Sequence, residues 1–296
     1  MLVFVGYALS RWGGWPTTVS DALTRFTFAV AIPAFLFRLM MDFRSLPPVD
    51  ARLLIAYFGG SLVLFIVSRV VAARAFAMDG VSQTIFAMGT IFSNNVLLGI
   101  PLAKIILGDA SMPSVSLVVV FNSLVLWTLV TVSVEWARKG DVSLRGLART
   151  ARNVALNPVV GSILLGIGFS FTGLAMPRVV TDTLGLMSTA AVPMSLIVLG
   201  MGLAEYGVGQ GIAPSIALSL LKLVAAPLAV YGIARALALP PIETQAVVML
   251  SSLPVGANVY IMARQFDALQ APVATSLVLT TALAAFTTPL LLVALA

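Results

Sequence analysis

Long apolar stretches separated by short polar connections cover almost the whole chain, and this pattern constrains the fold more than any other feature. The sequence is 60% hydrophobic and only 9% charged, whereas an ordinary soluble domain is about 25% charged. A soluble fold of 296 residues could not cover so much apolar surface with polar groups. Because a helix of about 20 apolar residues spans the hydrocarbon core of a bilayer, the sequence predicts an all-α polytopic membrane protein.

Ten apolar stretches predict ten helices. They lie at 1–12, 18–41, 52–73, 82–107, 114–136, 154–174, 180–203, 212–237, 243–264 and 270–295. The first is too short to span a membrane, because about 12 residues extend only about 18 Å as a helix. We therefore expect the chain to begin inside its first helix, with a short helix at the membrane interface as the alternative.

The longest polar connection, residues 138–153, follows the fifth predicted helix and is rich in arginine. The positive-inside rule places such a loop in the cytoplasm. Alternating the helices from there puts Arg11, Arg69, Arg74, Arg138, Lys139, Arg145, Arg149, Arg152 and Arg264 inside, and Arg38, Arg44, Arg52, Arg178 and Arg235 outside. Both termini are therefore predicted outside, with residues 1–137 and 154–296 forming a five-helix half on each side of the loop.

A short similarity relates the two halves. "AIPAFLFRL", from Ala31, resembles "AVPMSLIVLG", from Ala191, with Pro33 and Pro193 in register. An odd number of helices in each half makes the two copies enter the membrane in opposite orientations. The sequence thus predicts the inverted repeat that is common in secondary transporters.

The fourth and ninth predicted helices carry polar and helix-breaking residues near their centres. These residues are Asn94, Asn95, Gly99 and Pro101 in "FSNNVLLGIPLAK", and Pro254, Gly256 and Asn258 in "SLPVGANVYIMARQFD". Proline lacks an N–H and clashes with the preceding turn, and unpaired backbone costs several kcal/mol at membrane depth unless protein or a water-filled cavity satisfies it. Asparagine amides can do so, because they both donate and accept. Matching breaks in both halves indicate a transport site near the midplane, whereas Pro33, Pro193 and Pro227 are interpreted as ordinary kinks.

Two lysines lie inside apolar stretches. A charge at the bilayer centre costs at least about 2.5–3.5 kcal/mol, so such a residue faces a cavity or a partner. We see no acidic residue in the middle of a predicted span, so we expect Lys104 to lack a carboxylate partner and to attract an anion, with snorkelling to the surface as the alternative. Lys222 is expected to support the charge of the site or to brace the bundle. The helix N-termini that follow each break also favour a carboxylate.

Both interrupted segments resemble the crossover segments of the auxin efflux carrier family. "LTRFTFAVAIPAFLFRLM" and "LKLVAAPLAV" resemble it too, so the similarity covers essentially the whole chain. The resemblance implies two inverted five-helix repeats whose fourth and ninth helices are broken and cross at the substrate site. The crossover residues that it implies are Asn94, Gly99, Pro101, Pro254, Gly256 and Asn258. One departure is the pair Asn95 and Val96, which stands where a small residue or glycine often follows the first asparagine of the motif.

The resemblance further implies carriage of small organic anions, such as malonate or malate in bacterial members. The short loop after the fifth helix favours a bacterial protein, and hence the inner membrane. The residues expected to bind substrate are Asn94, Asn95, Gly256, Asn258 and Lys104, with Gly99, Pro101 and Pro254 at the breaks and Lys222 in support. A channel-like or receptor-like protein and a cation-coupled exchanger are the alternatives.

An enzyme is not expected, because the chain has no cysteine and no histidine and no internal acidic pair with which to build a catalytic site. No cofactor and no metal site are expected for the same reason. The expected partners are the organic anion and the lipid bilayer, with no nucleic acid. A homodimer is an assembly that the sequence leaves open.

Overall fold

The computed structural model describes residues 1–45, 50–139, 152, 156, 158–205 and 211–295. Every regular element in these ranges is helical, which confirms the all-α prediction. The helices are α1 (Leu2–Arg11), α2 (Thr17–Met40), α3 (Arg52–Phe76), α4 (Gly80–Ile91), α5 (Asn95–Ile106), α6 (Met112–Lys139), α7 (Pro158–Thr172), α8 (Arg178–Glu205), α9 (Ile212–Ala236), α10 (Pro241–Ser252), α11 (Ala257–Phe266) and α12 (Gln270–Leu295). Most of the predicted basic loop, at 140–151 and 153, lies outside the described residues.

Several of these helices can cross a membrane. Within the described ranges, five are long and apolar enough to do so, namely α2, α3, α8, α9 and α12, with mean hydropathies of 1.5 to 2.0. A chain with this many such helices is a multi-pass membrane protein. Helix α1 has 10 residues, as short as its apolar stretch suggested. The arrangement as ten helices in an inverted repeat stays a prediction.

The fourth and ninth predicted helices are each divided in two, as expected, but the first break is not where the sequence placed it. The chain leaves helical geometry at 92–94, between α4 and α5, and again at 253–256, between α10 and α11. Gly99 and Pro101 instead lie within the helical residues of α5. The prediction that these two residues form the break is therefore wrong.

A recurring π-helical turn explains why Pro101 does not break its helix. Such a turn ends two residues before Pro33, Pro101 and Pro227, at Thr27–Ala31, Asn95–Gly99 and Leu221–Ala225 respectively. A proline ring clashes with the carbonyl four residues before it and offers that carbonyl no N–H. Widening the preceding turn to the π-helical pattern relieves this conflict, so the helix continues through the proline.

The described chain groups into two compact units. The first comprises Met1–Val49, Val96–Val120 and Arg152–Glu205, and the second comprises Asp50–Asn95, Phe121–Ala151 and Tyr206–Ala296. The first unit thus holds α1, α2, α7 and α8 together with most of α5 and the start of α6. Each unit draws on both halves of the sequence, and the repeat boundary at 138–153 stays a prediction.

Within the first unit, α1 packs against α8 with the two backbones in direct contact. A Cβ atom added at Gly6 would overlap the carbonyl oxygen of Ile197, and one added at Gly200 would overlap that of Val3. Small residues permit this close approach between membrane helices, where packing replaces the hydrophobic effect as the driving force.

The second unit has a buried apolar core to which α3, α4, α6, α9, α11 and α12 contribute. Asp79 caps the first turn of α4 by accepting from the Ser82 N–H at 3.2 Å. Interaction with the Ser82 side chain and with this N–H holds the pKa of the Asp79 carboxyl below its usual range. The cap fixes the start of the helix that leads into the first break.

The contact between α3 and α9 provides a test of this packing. A Cβ atom at Gly60 would lie 2.9 Å from the backbone N and Cα atoms of Val230, whereas one at Gly59 would meet only the Ile233 Cδ1 atom at 3.5 Å. Because backbone cannot move aside as a side chain can, we expect Gly60→Ala to destabilise the protein by about 1–3 kcal/mol. Gly59→Ala is the matched control and should leave the melting temperature of the purified protein unchanged. Equal melting temperatures for the two variants would contradict this packing.

Candidate functional site

The two helix breaks pair with each other. Ser93 lies opposite Val255 in an antiparallel bridge. The Asn94 N–H donates to the Pro254 carbonyl at 3.0 Å, and the Gly256 N–H donates to the Phe92 carbonyl at 2.8 Å. The two segments thereby satisfy backbone groups that no helix satisfies, as the interior of a membrane requires.

Pro254 and Gly256 lie in the second break, as expected, and each suits its position. Pro254 contributes a carbonyl acceptor to the bridge and needs no donor there. A Cβ atom at Gly256 would lie 3.0 Å from the Ser93 carbonyl oxygen and 3.1 Å from the Phe92 ring. Glycine at this position therefore allows the two breaks to approach closely.

Asn94 and Asn95 are buried beside the bridge, and among the described residues one side-chain atom of each has no hydrogen-bond partner. Their exposed fractions are 6% and 3%. The Asn95 Nδ2 atom donates to the Tyr57 hydroxyl at 3.1 Å. Within the described residues, the Asn94 Nδ2 donor and the Asn95 Oδ1 acceptor have no hydrogen-bond partner. Since buried polar groups are normally paired, these two atoms are the ones available to a ligand.

Asn258 differs from the other two asparagines. It lies in the first turn of α11, two residues beyond Gly256, and its side chain is exposed. No hydrogen bond joins it to Asn94 or Asn95 in the part of the chain that the structure describes. The fold thus brings Asn258 to the same pair of breaks, but not into the buried cluster.

Lys222 holds the two breaks together from α9. Its side chain is fully buried, and its Nζ atom donates to the Ser93 Oγ atom at 2.6 Å and to the Ser251 carbonyl at 2.8 Å. Ser93 belongs to the first break, and Ser251 belongs to the last turn of α10, where the helix dipole is negative. Of the two roles expected for Lys222, this geometry corresponds to the bracing one.

Lys104 is not placed as the sequence suggested. It forms an ion pair with Asp109, so the expectation that it lacks a carboxylate partner is wrong. The physical reason is the 3₁₀ turn Asp109–Ser111 just after α5, which brings the carboxylate back towards the last turn of that helix. Lys104 lies about 14 Å along α5 from Asn95, at 1.5 Å per residue, so it does not line the breaks.

Three residues of this cluster escaped the sequence analysis, namely Tyr57, Ser93 and Ser251. A tyrosine hydroxyl in an apolar stretch needs a hydrogen-bond partner. This indicates that Tyr57 makes a polar contact, but it does not identify the partner. Serine occurs throughout membrane helices without function, so neither serine could have been selected. In the described residues, no group of three or more acidic, histidine or cysteine side chains could hold a metal ion.

Known proteins show similarity along almost all of the chain. The model of the membrane transport protein family matches residues 1–292, a range that includes both helix breaks. A relative from Rhizobium meliloti, named "Putative malonate transporter", is 25% identical over 295 residues, which cover 97% of this chain and 90% of the relative.

The contacts of Lys222 predict that the effects of removing it and of removing its partner Ser93 are coupled. Ser93→Ala leaves the buried ammonium with one acceptor fewer, so we expect a loss of about 1–3 kcal/mol in stability. Lys222→Met keeps a similar volume but leaves the Ser93 hydroxyl and the Ser251 carbonyl without this donor, so it should also lower stability by about 1–3 kcal/mol.

Thermal unfolding of the wild type, both single variants and the double variant measures this coupling. The double variant should be about as stable as Lys222→Met alone, because Ser93→Ala then has no contact with the Nζ atom left to lose. If Ser93→Ala cost the same with and without Lys222, the bracing role would be refuted.

Proposed function

The chain belongs to the membrane transport protein family, and we propose that it is a secondary carrier of small organic anions, mono- or dicarboxylates such as malonate or malate. The family match confirms the resemblance to the auxin efflux carriers that the two interrupted segments indicated. Membership of this family also means that the chain is a transporter and not an enzyme. The name of the Rhizobium meliloti relative supports malonate as the first substrate to test.

The observation that carries this proposal is the unpaired amide donor of Asn94 at the paired breaks. Among the described residues, the buried Asn94 Nδ2 atom has no hydrogen-bond partner, and a carboxylate oxygen is an acceptor that such a donor binds. Helices α5 and α11 begin directly after the two breaks, so their N-terminal N–H groups and partial positive charge favour an anion. The Lys222 ammonium, one hydrogen bond from Ser93, adds positive charge beside the breaks.

The acidic residues of the chain support a carrier of anions over a cation-coupled exchanger. Exchange of cations usually requires a carboxylate or histidine at membrane depth. Among the described residues, the buried acidic side chain is Glu243, in the first turn of α10. It stands eight positions before Ser251, about 12 Å along the helix, and therefore lies away from the breaks.

We propose alternating access as the mechanism. The second compact unit carries both breaks, while the first holds α1, α2, α7 and α8, which we take as the scaffold. Residues 96–106 group with the first unit, so α11 and most of α5, the helices that follow the two breaks, fall in different units. With the cell interior negative, each anionic charge is driven outward by about 2.3 kcal/mol per 100 mV, so transport without a coupling ion favours export.

The location and topology that we propose follow from the loops of the sequence. The count of basic residues favours both termini outside, and the short loop after the fifth predicted helix favours a bacterial protein and hence the inner membrane. A channel-like or receptor-like protein is the second candidate, since broken helices also occur there.

Substitution of the asparagines tests the proposed site. Asn94→Ala removes the free buried donor, and Asn258→Ala removes the amide of the second break, so each should lower the exchange of labelled malonate in proteoliposomes by at least about ten-fold. Asn122→Ala is the matched control, because Asn122 is likewise a buried asparagine with an unpaired amide atom, its Oδ1, but lies in α6 outside the breaks. Equal amounts of folded protein in the vesicles are required for the comparison. Normal exchange by Asn94→Ala or Asn258→Ala would refute the assignment of that residue.

A further inference from the structure

A polar cavity lies within the first compact unit, between the ends of α2 and α5 and the middle of α8. Its volume is about 560 Å³, and its polar lining consists of Arg38, Asp42, Lys104, Asp109, Ser188 and Thr189. Sites for small molecules typically occupy about 300–1,000 Å³. The cavity is therefore large enough for an organic anion of a few carbon atoms.

One of the two cations in this cavity has no carboxylate of the described residues within ion-pair distance. Among the described residues, the ion pairs within 4.0 Å are Arg52–Asp50 and Lys104–Asp109, and Arg38 belongs to neither. Its guanidinium lies over α8 at Gly185, where a Cβ atom would stand only 3.2 Å from the Nη1 atom. Asp42, which also lines the cavity, has an interaction of its own. The Arg38 guanidinium thus presents its donors beside the cavity.

The second cation is held by a partner that is easily replaced. The side chains of Lys104 and Asp109 are 35% and 57% exposed, and exposed ion pairs contribute only about 0–1 kcal/mol. A carboxylate arriving from solution offers Lys104 the same oxygen acceptors that Asp109 offers. Exchange of one carboxylate for the other therefore costs little, and it leaves Asp109 free to return to water.

We propose that Arg38 and Lys104 form a loading site for the carboxylate groups of the transported anion, separate from the site at the helix breaks. The proposal rests on the proposed function, since it takes the ligand to be the anion that the carrier exchanges. A dicarboxylate matches the two cations, with one carboxylate for each. The site lies at the ends of α2 and α5, the side predicted to be outside. In an exchange cycle it holds external anion for the inward half of the cycle, through the two cations of a lining that also contains Asp42 and Asp109.

The natural absence of cysteine allows occupancy of this cavity to be measured directly. Thr189→Cys places one thiol in the cavity lining, and its rate of reaction with a membrane-impermeant thiol reagent reports access to the site. Thr183→Cys is the matched control, an exposed position on the same helix outside the lining. Malonate should slow the labelling of Thr189→Cys and leave the labelling of Thr183→Cys unchanged.

Charge variants then identify the groups that bind. In the Thr189→Cys background, Lys104→Gln or Arg38→Gln should raise the malonate concentration that gives half protection by about two- to five-fold, the range expected for an exposed charge pair. Asp109→Asn removes the competing carboxylate and should lower that concentration. Arg178→Gln, which neutralises an exposed arginine of α8 away from the cavity, should not change it.

Three results would overturn the proposal. The first is equal protection with and without Lys104, because a change of conformation during transport would protect both proteins alike. The second is a labelling rate that depends on anionic lipid and not on malonate, which would assign the cavity to a lipid phosphate. The third is malonate exchange by the same preparation without protection of Thr189→Cys. If the preparation shows no exchange of any small carboxylate, it is the carrier function itself that fails.

Discussion

The pairing of two interrupted helices is the interaction on which the rest of this structure depends. A chain that leaves helical geometry at membrane depth exposes N–H and carbonyl groups that lipid cannot satisfy. Here the first break supplies partners for the second, through the bonds of Asn94 and Gly256 to opposite carbonyls. Glycine at 256 and the buried ammonium of Lys222 are consequences of this pairing, because the breaks must lie close and their remaining acceptors need a donor.

The pairing also brings polar groups and helix ends together inside a bundle that is otherwise apolar. Helices end and begin at the same place, so dipole ends of both signs meet there. The Lys222 Nζ atom contacts the end of α10, where carbonyls are free. Asn94 and Asn95 lie at the start of α5. The buried cation on one side and the free amide donor on the other give the region a positive character that suits a carboxylate.

Many of the helices could be predicted from the sequence, because an apolar stretch of sufficient length marks the position of a membrane helix along the chain. The interruption of the fourth and ninth helices was also visible, since polar residues coincide with proline and glycine there. The position of the first break was not, because Pro101 and Pro254 look alike in sequence. A π-helical turn absorbs Pro101, while a bridge to a distant segment fixes the break at 92–94. Tertiary pairing decides between these outcomes.

The same limit applies to the candidate site. Asn94 and Asn95 could be selected because a polar amide inside an apolar stretch is costly unless it has a partner or a function. Tyr57, Ser93 and Ser251 could not be selected, since their importance lies in contacts between segments far apart in the chain. Lys104 was misjudged because its partner, Asp109, lies just beyond the predicted helix, in a turn whose geometry the apolar pattern does not reveal.

Counterflow of labelled malonate into proteoliposomes loaded with unlabelled malonate, with the purified wild-type protein, tests the carrier function most directly. For a carrier of small dicarboxylates, we expect uptake that saturates, is accelerated by the internal anion and is inhibited by malate or succinate more strongly than by indole acetate. Folded protein that gives no exchange with any small carboxylate, or uptake that neither saturates nor responds to the internal anion, would contradict it.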